Sequence, residues 1–211
     1  RINALLIDLA RQGKVVVRLK GGDPFIFGRG GEEAAALLAA GVPYRVVPGV
    51  TAAVAGAAYA GIPLTDRRLA SSVALVAGQE DPSREESRLD FAALAGVDTL
   101  VFYMAVGALG DIAGRLQQAG RAGDTPVAML ERATTARART IEATLATAAE
   151  VAERENLQPP ALVIVGRVVE LRREYDERGL LGLAFHPDWP QSRRVFAYYS
   201  APLRSSAPPD F

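Results

Sequence analysis

The sequence predicts an α/β protein of two domains followed by a short, dissimilar tail. Runs with helical apolar spacing alternate with short β-branched runs, the pattern of strands joined through helices. Glycine and proline punctuate the junctions between them. After Arg172 the texture changes to a polar, mixed-charge stretch and then to apolar and aromatic runs.

In chain order, Ile2, Leu5, Leu6 and Leu9 recur at helical spacing until Gly13 stops the run. The opening Arg1-Ile2-Asn3 reads as the middle of a helix, so the chain is expected to begin inside a larger protein. Val15 to Leu19 is β-branched and reads as a buried strand. Lys20 to Gly31 is a glycine-rich loop, and Glu32 to Ala40 a helix whose acidic first turn suits the helix dipole. After the turn Gly41-Val42-Pro43, Tyr44 to Val47 reads as a strand ended by Pro48-Gly49, and Val50 to Ala60 as an alanine-rich helix. This alternation implies a parallel sheet covered by helices.

Gly61 to Thr65 is a turn and Asp66-Arg67-Arg68 is polar, which places a domain joint near residue 68. Beyond it, strands are expected at Val73 to Val76, Thr99 to Tyr103, Pro126 to Leu130, Thr140 to Ala143 and Ala161 to Val169. Helices are expected at Leu109 to Ala119 and Leu145 to Glu155, and the charged stretch Asp81 to Leu89 reads as an exposed loop. The domains are therefore 1–68, 69–172 and a tail, 173–211. In the tail an apolar run, a Pro187-Asp188-Trp189-Pro190 turn and the aromatic run Val195 to Tyr199 suit a β-hairpin. The Ser/Pro-rich end, Ser205 to Phe211, is expected to be loose.

Composition narrows the chemistry. Of 211 residues, 24 are Lys or Arg and 24 are Asp or Glu, a balance that argues against a nucleic-acid footprint. With no cysteine, disulfides, thiolate catalysis and thiolate-bound metals are excluded, and a single histidine, His186, excludes a multi-histidine metal site. The apolar stretches are interrupted by Gly, Pro or charge, so no membrane span is expected.

The chemistry-bearing segment is the loop Leu19 to Gly30. Paired glycines, Gly21 and Gly22, let backbone approach a ligand closely. Asp23 directly after them is able to accept hydrogen bonds from a ribose or an ammonium group, and ligands of open α/β sheets bind beyond the strands' carboxyl ends. The plainer reading is a glycine turn with a solvated aspartate. Met104, Ala133 and Ala161, taken alone, read as core.

The string VVRLKGGDPFIFGRGGEE resembles the signature of the tetrapyrrole methylase family, in the branch acting on uroporphyrinogen III. PYRVVPGVTAA resembles the family's second loop, AYAGIPLTDRR its linker, and SSVALVAGQE the first strand of its second domain. TLVFYMAV, PVAMLERATTARART and PALVIVGRVVELR resemble its later blocks, so the similarity runs from about residue 1 to about residue 172. The resemblance implies a two-domain fold holding S-adenosyl-L-methionine in the cleft between domains. It implies C-methylation of uroporphyrinogen III to precorrin-2, on the way to siroheme or cobalamin, by a cytoplasmic homodimer without a metal. By the same resemblance Gly21, Gly22, Asp23 and Ile26 contact the donor from the first loop, Thr51 and Ala52 from the next helix start, and Met104, Ala133 and Ala161 from the second domain. A free helix amide near Thr51 is able to bind a carboxylate. A substrate ringed with carboxylates calls for arginines, and Arg18, Arg29, Arg67 and Arg68 are the candidates beside solvated-surface readings of each.

Against that family pattern the sequence lacks the opening strand, its GAGPGD-type loop and the following stretch that carries an acidic residue and a lysine with proton-transfer roles. Catalytic residues are therefore not assigned, and the truncated chain is expected to be impaired. Asp66 and Gln79 stand where histidine is common, and Ala133 where glycine is common. A neighbouring expectation is another precorrin methylase. A ribosomal-RNA methylase of the same fold is disfavoured by the zero net charge. The tail, from Asp176 to Ser200, resembles an early blade of glucose/sorbosone dehydrogenases, which are quinone-dependent propellers. About forty residues cannot build the several blades a propeller needs, so a sugar-oxidising fragment is the lesser alternative and His186 reads as a turn residue rather than a base.

Overall fold

A computed structural model describes residues 2–79, 88–173, 180–185 and 195–199. Most of the charged loop, Asp81 to Ser87, lies outside the described residues, as do His186, the Pro187 to Pro190 turn and the end from Ser205 to Phe211. The chain divides into two compact units, Arg1–Ala52 and Ala53–Phe211.

In the first unit, helix α1 (Ile2–Arg11) carries the expected apolar repeat and closes on Gly13, whose φ of 78° is a left-handed helix exit that only glycine takes cheaply. Helix α2 (Gly30–Ala39) begins where Gly30 N–H donates to Pro24 O at 2.9 Å, two residues before the acidic pair Glu32 and Glu33. The segments 15–19 and 44–47 correct the sequence reading. Both are without regular structure, and neither forms a ladder. Their β-branched residues favour a strand, but a strand exists only through its partner's backbone, and no backbone hydrogen bond described for this unit reaches either segment. Val15, Val17 and Leu19 are 97%, 83% and 84% exposed, so the buried strand expected there is not buried.

The second unit holds a five-stranded sheet. Its strands are β1 (Val73–Ala77), β2 (Thr99–Tyr103), β3 (Pro126–Glu131), β4 (Arg139–Thr144) and β5 (Ala161–Val165), in the order β1-β2-β5-β3-β4. Only β1 and β2 pair in parallel; β5 is antiparallel to both β2 and β3, and β4 to β3. Alternate residues serve opposite faces. Leu100 and Phe102 pack with Val127, Met129, Val163 and Val165 on one face, while Val101, Ala128, Leu130, Leu162 and Ile164 pack on the other. A sheet buried on both sides explains why these strands read as unbroken apolar runs.

Helices cover the faces. On the first, α4 (Phe91–Ala95), α5 (Leu109–Gln118) and α6 (Ala148–Arg154) pack against the strands. Leu109, Ile112, Ala113 and Leu116, at helical spacing, form the buried stripe of α5. On the second face lies α3 (Ala52–Tyr59), where Ala53 and Ala57 are fully buried against the sheet. The polar turn Asp66 to Arg68 lies inside this unit, tied by the Asp66–Ala70 bridge.

Other differences have local causes. The sequence reading had no helix at α4, which Asp90 caps by accepting from Ala93 N–H at 3.0 Å. The strand expected to reach Val169 stops at Val165, because Gly166 (φ 151°) turns the chain into a 3-10 turn, Arg167–Leu171. The helix expected from Leu145 starts at Ala148, since Leu145 and Ala146 N–H are spent on Thr125 and Gly123 carbonyls, both at 2.8 Å. Beyond the sheet, β6 (Leu180–Phe185) and β7 (Val195–Tyr199) pair antiparallel, as the hairpin reading expects.

Candidate functional site

In the first unit the loop after residue 19 is braced on a single carboxylate. One oxygen of Asp23 accepts from Phe25 N–H at 2.8 Å, and the other from Gly49 N–H at 3.0 Å. Asp23 thus ties its own loop to the loop after residue 47. These donors, Gly49 first and Phe25 next, hold the Asp23 carboxyl below its ordinary value. The sequence leaves Asp23 between a ligand contact and a glycine-turn aspartate; the structure shows both oxygens bracing backbone, and an ionised carboxylate has more acceptor sites than these two bonds use.

The brace allows close backbone approach. Gly22 has φ 79°, and a Cβ built on it would lie 3.5 Å from Val50 O, 3.7 Å from Thr51 Cα and 3.8 Å from Ala52 N. Gly22, Asp23, Thr51 and Ala52 are therefore brought together in this unit. A Cβ on Gly49 would strike Gly22 O, so glycine is required there too. Gly21 faces open space, and Ile26 is partly exposed.

In the second unit Met104, Ala133 and Ala161 share one rim of the sheet. Strands β2 and β3 both run antiparallel to β5, so their carboxyl ends flank the start of β5. Met104 follows β2, Ala161 opens β5 opposite Glu131, and Ala133 lies two residues beyond β3. Met104 is 52% exposed at φ 56°, which removes it from the core. Arg132 and Thr134 also have positive φ, at 47° and 67°. Such conformations cost energy for residues with a side chain and concentrate at functional sites.

Three supports of this unit escaped the sequence reading. Tyr103 Oη accepts from Ala53 N–H at 3.0 Å, which fixes the first turn of α3. Buried Glu131 accepts from Arg139 at 2.8 Å and from Gln158 N–H at 3.1 Å, locking β4 and the approach to β5 onto the rim. Arg139 first, then Gln158, holds this carboxyl below its usual range. Asp98 accepts from the Ser72 hydroxyl at 2.8 Å and from the Ser71 and Ser72 amides, clamping the starts of β1 and β2. A carboxylate closing the otherwise apolar run of β3 was the one signal available; the other contacts join residues distant in sequence.

Among the arginines, Arg18 pairs with Glu33 at 3.1 Å, Arg29 with Glu32 at 2.7 Å and Arg68 with Asp66 at 3.2 Å. Each is engaged by a carboxylate of the chain itself. Arg67 is exposed. Among the described residues there is no cluster of metal-ligating side chains and no helix long and apolar enough to cross a membrane.

Comparison with known proteins gives this geometry a family. The family model for tetrapyrrole (corrin/porphyrin) methylases matches residues 1–149. An S-adenosyl-L-methionine-dependent uroporphyrinogen III methyltransferase of Methanosarcina barkeri is 50% identical over 171 residues, covering 81% of this chain and 67% of that protein. A siroheme synthase of Edwardsiella ictaluri is 52% identical over 172 residues, of which the chain spans only 36% of the length. The crystal structure of uroporphyrin-III C-methyltransferase from Thermus thermophilus complexed with S-adenosylhomocysteine is 44% identical, with a TM-score of 0.71 over 81% of this chain and 71% of that one. On the matched blocks and the shared fold, the chain belongs to the tetrapyrrole (corrin/porphyrin) methylase family.

Proposed function

We propose that this chain is a uroporphyrinogen-III C-methyltransferase, using S-adenosyl-L-methionine to form precorrin-2. The observation that carries the reading is the 50% identity over 171 residues to a relative whose name states both donor and substrate. The residues present suit the donor. Gly21 and Gly22 leave backbone bare at a braced loop, Asp23 keeps acceptor capacity beside it, and Met104 offers an exposed apolar side chain. In this reading the residues assigned to the donor are Gly21, Gly22, Asp23, Ile26, Thr51, Ala52, Met104, Ala133 and Ala161.

S-adenosyl-L-methionine supplies a methyl already activated by its sulfonium, and the pyrrole carbons of a reduced tetrapyrrole are electron-rich. What remains for the chain's own residues is to orient, to hold and to exclude water. No metal enters the reading. A homodimer in the cytoplasm belongs to it as the family expectation.

The test is anaerobic incubation with S-adenosylmethionine and uroporphyrinogen III, followed by absorbance and mass spectrometry. Formation of precorrin-2 with release of S-adenosylhomocysteine is the expected result. Methylation of a later precorrin with uroporphyrinogen III untouched would move the substrate assignment within the family.

A further inference from the structure

The first four residues of β2 are buried, and Tyr103, which ends the strand, is half-buried. Its ring packs on the apolar cluster that includes Ala53 and Ala57 of α3. A phenylalanine would serve that packing as well. What the hydroxyl adds is an acceptor, since Tyr103 Oη takes the Ala53 N–H at 3.0 Å. The first amides of a helix have no partner within it, and the usual acceptor is the side chain just before the first turn. Here an oxygen comes instead from a strand 50 residues further along the chain. The tertiary fold, rather than the local sequence, therefore sets where this amide lies.

The Ala53 N–H belongs to the peptide group that Ala53 shares with Ala52, and the entry to α3 has little slack. A Cβ on Gly22 would lie 3.7 Å from Thr51 Cα and 3.8 Å from Ala52 N, so a small shift of the Ala52–Ala53 peptide would alter that approach. The bond also spends the amide. The carboxylate-binding helix amide expected near Thr51 is therefore not that of Ala53. Resting on the functional reading above, in which Thr51, Ala52 and Met104 are assigned to the donor, we propose that Tyr103 is a positioning residue for donor binding. It holds Ala52 in place through the Ala53 amide, and it directly precedes Met104 in the chain. It acts through these neighbours rather than by touching the donor.

The test compares the full chain with its Tyr103→Phe variant, which keeps the ring and loses the acceptor. Without ligand, amide hydrogen exchange at Ala53 is expected to quicken at least ~10-fold in the variant. In calorimetric titration S-adenosylhomocysteine is expected to bind the variant at least ~10-fold more weakly. Asp98→Asn is the control, because it disturbs the clamp at the other end of β2 and lowers stability without reaching Ala53. It is expected to bind S-adenosylhomocysteine as the unaltered chain does. Equal weakening by Asp98→Asn would overturn the proposal, since general loss of stability would then suffice. Unchanged Ala53 exchange in Tyr103→Phe would overturn it too. Tighter binding by Tyr103→Phe would overturn it by showing that the phenol competes with the ligand for the amide. If the unaltered chain binds and Tyr103→Phe binds equally well, only this inference falls; if the unaltered chain does not bind, the functional reading falls and this inference with it.

Discussion

Asp23 does at one position what the loop needs done, since it gathers the Phe25 amide of its own loop and the Gly49 amide 26 residues further on, and keeps bare backbone available between them. Asp23→Ala removes both acceptors and is expected to weaken S-adenosylhomocysteine binding by at least ~10-fold. Asp23→Asn, which keeps one acceptor, is expected to fall between it and the wild type in the same titration. Gly22→Ala forces a side chain into a left-handed conformation at φ 79° and is expected to cost about 1–2 kcal/mol of stability, read from the shift in urea denaturation midpoint. The paired glycines and the aspartate were legible because glycine and aspartate have few reasons to adjoin a strand-like run other than a turn or a close approach. Whether Asp23 faces a ligand or its own backbone was not legible, because Gly49 comes close only through folding. Met104 shows the reverse: an apolar residue that composition assigns to a core stands half-exposed at a strand exit.

Elements were read correctly where local pattern and tertiary partner agree. Strands β2, β3 and β5 are apolar along most of their length because both faces are covered, and α5 shows its buried stripe in its spacing. The reading failed where a pattern lacked its partner, as at 15–19 and 44–47, or where a single glycine redirected the chain, as at Gly166. Helix α3 owes its close seat to Gly56, where a Cβ would sit 3.1 Å from both Ala133 Cβ and Leu162 Cδ1. Gly56→Val is expected to destabilise the protein by about 1–3 kcal/mol through overpacking, measured by urea denaturation. The carboxylates that join elements also set a pH response. Asp98, held low chiefly by the Ser72 hydroxyl, and Glu131, held low chiefly by Arg139, bind protons less readily folded than unfolded. Their contribution is therefore complete above the ordinary values of 3.8 and 4.5, and is lost as the pH falls through the depressed folded values. The melting temperature is expected to hold steady near neutrality and to fall below about pH 4. Asp98→Asn is expected to lower stability at neutral pH and to flatten that acid dependence.

Across the whole molecule, stability is expected to be uneven. The second unit has a sheet buried on both faces, whereas the first has exposed valines and backbone without ladders. Native-state hydrogen exchange is expected to show strong protection in β2, β3 and β5 and little at 15–19 and 44–47. Protection of the two regions to the same degree would contradict this account of the first unit. Family membership was legible in the ordered blocks from residue 1 to about 172, since a string such as KGGDPFIFGRGGEE combines turn chemistry with a helix start at fixed spacing. The division of the chain after Ala52 was not, because the small face of α3 seeks the second unit's sheet rather than the elements before it in sequence. The proposed function stands or falls on these residues holding an S-adenosyl group, and calorimetric titration of the full chain with S-adenosylhomocysteine is the sharpest check. Saturable binding at one site per chain, reduced by Asp23→Ala, is the expected result; no heat of binding at millimolar ligand, or binding indifferent to Asp23, would refute it.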